Sequence, residues 1–413
     1  MLFWLYNSLV LLSLPLLSLQ ISLKALLKNK RALSTFFFPK IETSKNSIWI
    51  HAVSLGEVNT IKPLINELKK LYPQKTLFLS TMTETGFSEA SKISDILVFY
   101  LPLDLWFIQK KVLKTLNPSV VMYVEGDVWP SLSHLLKKEE IPQLVVSAKI
   151  SEKSLRRLLK FPYLIPFLYG NLTHLGVQDE TMHKRFISLG LKKNQLTVTG
   201  NLKLVNDGNN FVDPSIEEKL APFFELNLQK KTLIISCTHT GEEELLLEKL
   251  KPILNQFNVM LAPRHPNRFE EVKKVLKKLD ISFSLLSEGK AISDSIFFID
   301  AIGLVKTLYQ KADVVILGGS FVPGIGGHNV MEPIYQNCFV ITGPYMESQS
   351  GVVKQMLDQN LGCQTSINDL LEVLSIHIHN SKDFSGLENL LKKNQEILVQ
   401  SLSLFPSLLP HFA

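Results

Sequence analysis

Residues 47–65 read SIWIHAVSLGEVNTIKPLI. Ile48, Trp49 and Ile50, continued by Ala52 and Val53, make a short apolar run that ends at Ser54-Leu55-Gly56. Val58, Ile61, Leu64, Ile65 and Leu68 then recur at the spacing of a buried helix face. A buried strand therefore runs straight into a helix, the opening of an α/β unit. Glu57 falls in the first turn of that helix, just past the carboxyl end of the strand. Two readings fit it. A first-turn carboxylate complements the helix dipole, worth a few tenths to about 1 kcal/mol. The same position is where open α/β sheets bind ligands, and Gly56 beside it lets a substrate approach the backbone closely.

The grammar continues outward from this stretch. Apolar, β-branched runs recur at 76–82, 96–101, 120–124, 144–146 and 196–199, with helical patterns between them such as 103–116 and 151–159. A second series lies at 232–236, 259–262, 296–299, 314–317 and 339–342. Strands alternating with helices predict parallel sheets. Five or six strands in each series predict two doubly wound, Rossmann-like domains, and active sites favour the clefts between such domains. The polar, turn-rich stretch NLKLVNDGNNFVDPS (residues 201–215) marks their boundary.

A length of 413 residues suits two domains, and 46% apolar with 20% charged residues is a globular composition. The net charge of +6 is mild and without basic runs, so no nucleic-acid partner is expected. It suits anionic substrates or an anionic membrane surface. Cys237, Cys338 and Cys363 are an odd, scattered set, which argues against a disulfide framework and against a zinc site. Residues 1–22 carry no charged side chain, and Lys24, Lys28, Lys30 and Arg31 follow. That length can cross a hydrocarbon core of ~20 residues. The basic cluster after it would keep the body on the cytoplasmic side. Asn7, Ser8, Ser13, Gln20 and Pro15 weaken the case for a span, and a helix lying in the interface is the alternative. The expected organisation is a membrane anchor over 1–23, Rossmann-like domains over 24–205 and 206–382, and a closing helix over 383–413. The catalytic motifs all lie beyond the anchor, so its removal is expected to leave the chemistry intact.

Polar clusters fall where the strands end. In VEGDVWPSL, Glu125 and Asp127 precede a helix that Pro130 can start; they serve as an acid/base pair or as a cap. Asn201 and Lys203 follow in GNLK. In CTHTGEEE, Thr240 and Glu243 fit a capping box, and His239 has no partner histidine at metal spacing, so no metal is expected. Arg264 and His265 follow a strand in APRHPNRF, and a guanidinium suits phosphate or carboxylate recognition. Finally GGSFVPGIGGHNVMEP sets a glycine-rich turn before a helix near His328-Asn329, with Glu332 one turn on. That pattern predicts an anion cradle of backbone N–H groups, although Walker spacing is absent.

Taken in order, HAVSLGE, STMTETG, YLPLD, VEGDVWPSL, VTGNLK, APRHPNRF and GGSFVPGIGGHNVMEP cover nearly the whole chain. The set resembles the 3-deoxy-D-manno-octulosonic acid (Kdo) transferases, glycosyltransferases of the GT-B fold. The resemblance implies two Rossmann-like domains facing a cleft, behind an amino-terminal membrane helix at the bacterial inner membrane. It implies inverting, metal-independent transfer of Kdo from CMP-Kdo to a lipid A precursor in lipopolysaccharide biosynthesis, with no cofactor. By the same resemblance Glu57 is the general base, and Glu125 and Lys203 stabilise the transition state. CMP contacts fall on Pro263 and Arg264, on Ile302, Gly303 and Leu304, and on Asn329, Val330, Met331 and Glu332. The stretch DAIGLV departs from the family's DTMGE, EGD stands for the commoner ETE, and VPGIGGHN is one residue longer than the usual form. Another GT-B enzyme, using a UDP-sugar on a membrane lipid, is the nearest alternative. An exported two-lobed binding protein would need a basic segment ahead of its apolar run and a cleavage site after it.

Overall fold

A computed structural model of the chain describes residues 2–14, 40–44, 46–205, 218, 220–221, 229–289, 295–379 and 385–405. The chain divides into two compact units, Met1–Asp207 with Asn394–Ala413, and Gly208–Lys393. The terminal residues thus return to the first unit instead of standing apart. Most of the boundary stretch, residues 206–215, lies outside the described residues.

In the first unit β1 (Ser47–His51), β2 (Thr76–Thr81), β3 (Leu97–Tyr100), β4 (Pro118–Val124), β5 (Gln143–Ala148), β6 (His174–Val177) and β7 (Leu196–Val198) form one sheet in the order 3-2-1-4-5-6-7. The pairings are parallel throughout. The chain winds one way from β1 to β3 and the other way from β4 onward. The strand order therefore reverses between β1 and β4, the place where such sheets open a ligand crevice. Ile48, Trp49 and Ile50 are buried on both faces of the sheet. The expected stripe Val58, Ile61, Leu64, Ile65 and Leu68 is the buried face of helix Leu55–Leu71.

The second unit repeats the plan. Strands β8 (Thr232–Thr238), β9 (Asn258–Pro263), β10 (Phe283–Leu285), β11 (Ile296–Phe298), β12 (Val314–Leu317), β13 (Phe339–Thr342) and β14 (Gly362–Gln364) run in the order 10-11-9-8-12-13-14. Its reversal lies between β8 and β12. Each sheet has seven strands, more than the five or six that periodicity predicts. The strands missed are β6 (HLGV), β10 (FSL) and β14 (GCQ), short runs each broken by glycine, serine or another polar residue.

Of the expected anchor over 1–23, residues 2–14 are described and helical, while residue 1 and residues 15–23 lie outside the described residues. Among the described residues no helix is long and apolar enough to cross a membrane. This helix is bolted to the first unit by the amide of Asn7, which is buried. Asn7 Nδ2 donates to Ser131 Oγ at 2.9 Å, and Asn7 Oδ1 accepts Trp106 N–H at 2.9 Å, capping helix Trp106–Leu116. Phe3 stacks on His134 with ring centroids 4.2 Å apart. Tyr6 hydrogen-bonds Asp104, whose carboxylate accepts the N–H groups of Ser131 and Leu132 at the start of helix Pro130–Lys138. A polar residue that reads as a weakness in a membrane span is here a docking contact. Asn7→Ala strands two buried polar groups, and leaving such groups unsatisfied costs about 1–3 kcal/mol each. A melting midpoint lowered by several degrees is expected; an unchanged midpoint would show that the helix only rests on the domain.

Candidate active site

Glu57 does serve its helix, but not as a bare dipole partner. Its Oε2 accepts the Val53 N–H at 2.7 Å and its Oε1 accepts the Ser54 hydroxyl at 3.1 Å. Both bonds tie the carboxylate to the end of β1. Burial pushes its carboxyl up to about 7; the two hydrogen bonds oppose this, and the charges of Asp127 and Glu125 add to it. A carboxyl poised near neutrality at a strand end is suited to take a proton, which a first-turn helix acid held at its ordinary value is not. Gly56 has no protein atom within 3.9 Å of where a side chain would begin, so the backbone beside Glu57 is open to a ligand.

Across the strand reversal, β4 ends in Glu125, held at a φ of 62°, a left-handed backbone that a glutamate rarely adopts. The bonds Glu125 N–H to Val146 O and Lys149 N–H to Glu125 O, each 3.0 Å, clamp the turn to the end of β5. Lys203 Nζ lies 2.9 Å from Glu125 Oε1, and Lys149 pairs with Oε2. Burial opposes ionisation of Glu125, but Lys203 and Lys149 outweigh it and hold the carboxyl below its ordinary value. Glu125 is thus a fixed anion, whereas Glu57 is a titratable one.

Two networks hold these loops. His51, fully buried, accepts the Trp129 indole N–H at 2.9 Å, and its other nitrogen meets Ser80 Oγ at 2.8 Å. Burial lowers its pKa to about 3, so it is a neutral strut under the EGDVWP turn. The second network starts at Ser147, which bulges out of β5 at a φ of 54°. Its hydroxyl accepts Leu202 N–H at 3.3 Å and donates to Asn201 Oδ1 at 3.4 Å, which in turn accepts Lys203 N–H at 3.0 Å. Ile397 packs where a side chain on Gly200 would begin, at 2.5 Å, so the returning terminal residues back the GNLK turn.

In the second unit the first amides of the glycine-rich turn, at residues 319–321, are already filled. Glu242, fully buried, accepts N–H bonds from Gly319 (2.6 Å), Ser320 (2.9 Å) and Phe321 (2.8 Å), and from His239 (2.9 Å). Those amides therefore bind a side-chain carboxylate and not a phosphate. The helix after the glycines spans only Met331–Ile334, too short to supply a dipole site. The expected Thr240–Glu243 capping box is absent as well: Gly241 is the N-cap, and Glu243 makes a forked ion pair with Arg268 at 2.7 and 2.9 Å. His239, without a local partner in sequence, meets His328 Nε2 to Nε2 at 2.9 Å across the β8–β12 reversal.

The residues expected to contact CMP differ in exposure. Arg264 follows β9, with its N–H on Thr238 O at 3.2 Å and its side chain exposed. Burial, the Arg264 charge and the neighbouring histidines lower His328 to about 4. Burial pushes the Cys237 thiol up to about 11, with the Arg264 charge opposing and the Glu332 charge adding to the shift. Of the expected CMP contacts, Pro263, Leu304, Val330 and Met331 are buried, Asn329 is half-buried, and Arg264 and Glu332 are exposed, as are Ile302 and the turn at Gly303 after β11.

Comparison with known proteins gives the family. A family model described as 3-Deoxy-D-manno-octulosonic-acid transferase (kdotransferase) matches residues 30–206. The 3-deoxy-D-manno-octulosonic acid transferase of Chlamydia trachomatis serovar A is 30% identical over 345 residues, 81% of this chain and 79% of that protein. The enzyme of the same name from Haemophilus influenzae is 30% identical over 364 residues, 86% and 83% of the two chains. The chain belongs to the Kdo transferase family. It is therefore a glycosyltransferase. Its likeness to solved structures is one of fold: a glycosyltransferase from Rickettsia africae gives a TM-score of 0.58 at 16% identity, covering 89% of this chain and all of that one. A UDP-GlcNAc 2-epimerase from Neisseria meningitidis gives 0.59 at 15%, with the same coverage. Among this family member's site residues, sequence reasoning passed over Lys149, Glu242 and Ser147. The motif HAVSLGE carried a signal for His51, since a histidine inside a buried strand calls for partners.

Proposed function

We propose that this enzyme transfers Kdo from CMP-Kdo to a lipid A precursor with inversion at the anomeric carbon. The observation that carries the reading is Glu57, poised near pH 7 at the β1–β4 reversal beside the fixed Glu125–Lys203 pair. Glu57 takes the proton of an acceptor hydroxyl as its oxygen bonds to the anomeric carbon. The bond from that carbon to the phosphate oxygen breaks, and CMP departs with the electron pair. Arg264 balances the charge that develops on the leaving phosphate. Lys203, held by Glu125 and the Asn201 turn, presents a cation to the reacting sugar. A monophosphate leaving group met by a guanidinium needs neither a metal nor a cofactor, so a chelator is expected to leave turnover unchanged.

The proposed location is the cytoplasmic face of the inner membrane. Trp4, Leu5, Leu9 and Leu12 on the docked helix are exposed, as are Trp106 and Phe107 beside it, and Trp4 and Trp106 lie 6.1 Å apart. This supports a helix that lies on the bilayer, its apolar side against the acyl boundary.

Mass spectrometry of the product formed from CMP-Kdo and a tetra-acylated lipid A precursor tests the reading directly. CMP should compete with the donor and UDP should not; the reverse result would favour a UDP-sugar enzyme. Arg264→Ala removes a charge-assisted contact worth ~1.5–3 kcal/mol, so the donor KM should rise about tenfold or more. An unchanged donor KM would put the nucleotide elsewhere.

A further inference from the structure

We propose that Lys149 anchors the donor's own carboxylate beside the reacting carbon, an inference that rests on the reading of the reaction given above. Lys149 is the first residue beyond β5 and is held from both ends: its N–H bonds to Glu125 O at 3.0 Å and its ammonium pairs with the Glu125 carboxylate. Glu125 already has a cation in Lys203, so one carboxylate carries two ammonium groups. A purely structural pairing needs only one, and the second costs rotamer entropy for little gain.

Exposure separates the two cations. The side chain of Lys203 is 26% exposed and that of Lys149 is 42% exposed, against 12% for Glu125. Both backbones are held, Lys203 by Asn201 and Lys149 by Glu125, so the difference between the two lies in the exposure of their side chains. An ammonium has three donors on a flexible stem, so it can keep one bond to Glu125 and offer the others to a ligand.

The identity of the ligand follows from charge and connectivity. Glu57, Glu125 and Asp127 interact electrostatically, so three carboxylates surround the place where the base acts. The transferred sugar is itself an acid, with its carboxylate bonded directly to the anomeric carbon. In the reaction that carbon must come to the base, which brings a fourth carboxylate among three. Cations are needed there, and Lys149 is the exposed one of the two that the structure sets beside these acids.

The test uses the full-length enzyme with Lys149→Gln and Lys149→Arg. Lys149→Gln should raise the donor KM about tenfold to a hundredfold, with acceptor KM and CMP inhibition unchanged. Lys149→Arg should recover most of the loss. Free Kdo, used as a competitor of the donor, should weaken by a similar factor with Lys149→Gln. Three results would overturn the assignment: an unchanged donor KM, a rise confined to the acceptor KM, or a fall in kcat alone. The second would mean that an acceptor phosphate is the anion, and the third that Lys149 acts only by holding Glu125. Should Lys149→Gln fail to fold, Lys149→Arg decides, since a donor KM within about threefold of wild type is expected there and a tenfold loss would count against the anchor. If the wild-type enzyme forms no product from CMP-Kdo, the underlying reading falls, and this inference with it. If it forms product while Lys149→Gln keeps its donor KM, only the inference falls.

Discussion

Turnover is expected to fall about 10²–10⁴-fold when Glu57 is replaced by glutamine, the range for loss of a general base. The amide preserves the shape and can still accept the Val53 N–H, but it cannot take a proton. CMP inhibition should stay as it is, because Arg264 and Glu332 belong to the other unit. The pH profile sharpens the test. Burial holds the Glu57 carboxyl near 7 against an ordinary 4.5, so the wild-type rate should climb with pH up to about 7 and then level. Stability should move the opposite way. Between pH 4.5 and about 7 the unfolded chain has lost this proton and the folded chain has kept it, so stability falls as pH rises through that window. Above pH 7 the folded protein bears a buried, partly compensated charge, and Glu57→Gln removes it. The variant should then melt above the wild type at pH 8 and close to it at pH 5. A variant that keeps more than about a tenth of wild-type turnover lies outside the general-base range and returns Glu57 to a purely helical role.

Glu242→Ala should be the most destabilising single change in the second unit. The carboxylate accepts from Gly319, Ser320, Phe321 and His239, all within 2.9 Å. Removing it strands buried backbone donors, each costing about 1–3 kcal/mol when unsatisfied. A loss of roughly 3–5 kcal/mol is expected from the three buried donors at residues 319–321. At about 2–4 °C per kcal/mol for a unit of this size, the melting midpoint should drop by around 10 °C or more. If added phosphate or CMP restores that midpoint, the emptied amides can serve as an anion cradle after all. A midpoint within a degree or two of wild type would mean that the glycine-rich turn holds itself together.

The fold was legible because its signal is local. Ile48–Ile50 with the Val58–Leu68 stripe, repeated down the chain, reports which side of each element is buried, and that suffices for two wound sheets. Strands β6 (HLGV), β10 (FSL) and β14 (GCQ) escaped because each short run is broken by glycine, serine or another polar residue. At the site, Glu57, Glu125 and Lys203 stood out through the motifs around them. The start of the glycine-rich turn was misread, because such a turn looks the same whether a ligand or a buried side chain such as Glu242 fills it.

The sequence by itself determined the parallel architecture, the place of Glu57 past a strand end and the carboxylate-rich turn after β4. Periodicity and turn chemistry are set by near neighbours along the chain. Only the tertiary structure decided the partners: Asn7 on Trp106, 99 residues away, Glu242 on Gly319, 77 residues away, and Lys149 beside Lys203 on one carboxylate. These contacts depend on strand order, which carries the ends of β1, β4 and β5 to one edge of the first sheet and those of β8 and β12 to one edge of the second. A pattern of buried faces does not say which loop meets which. The same order also sets the environment of Glu57: burial and two neighbouring carboxylates lift its pKa to about 7, where a helix dipole alone would have lowered it.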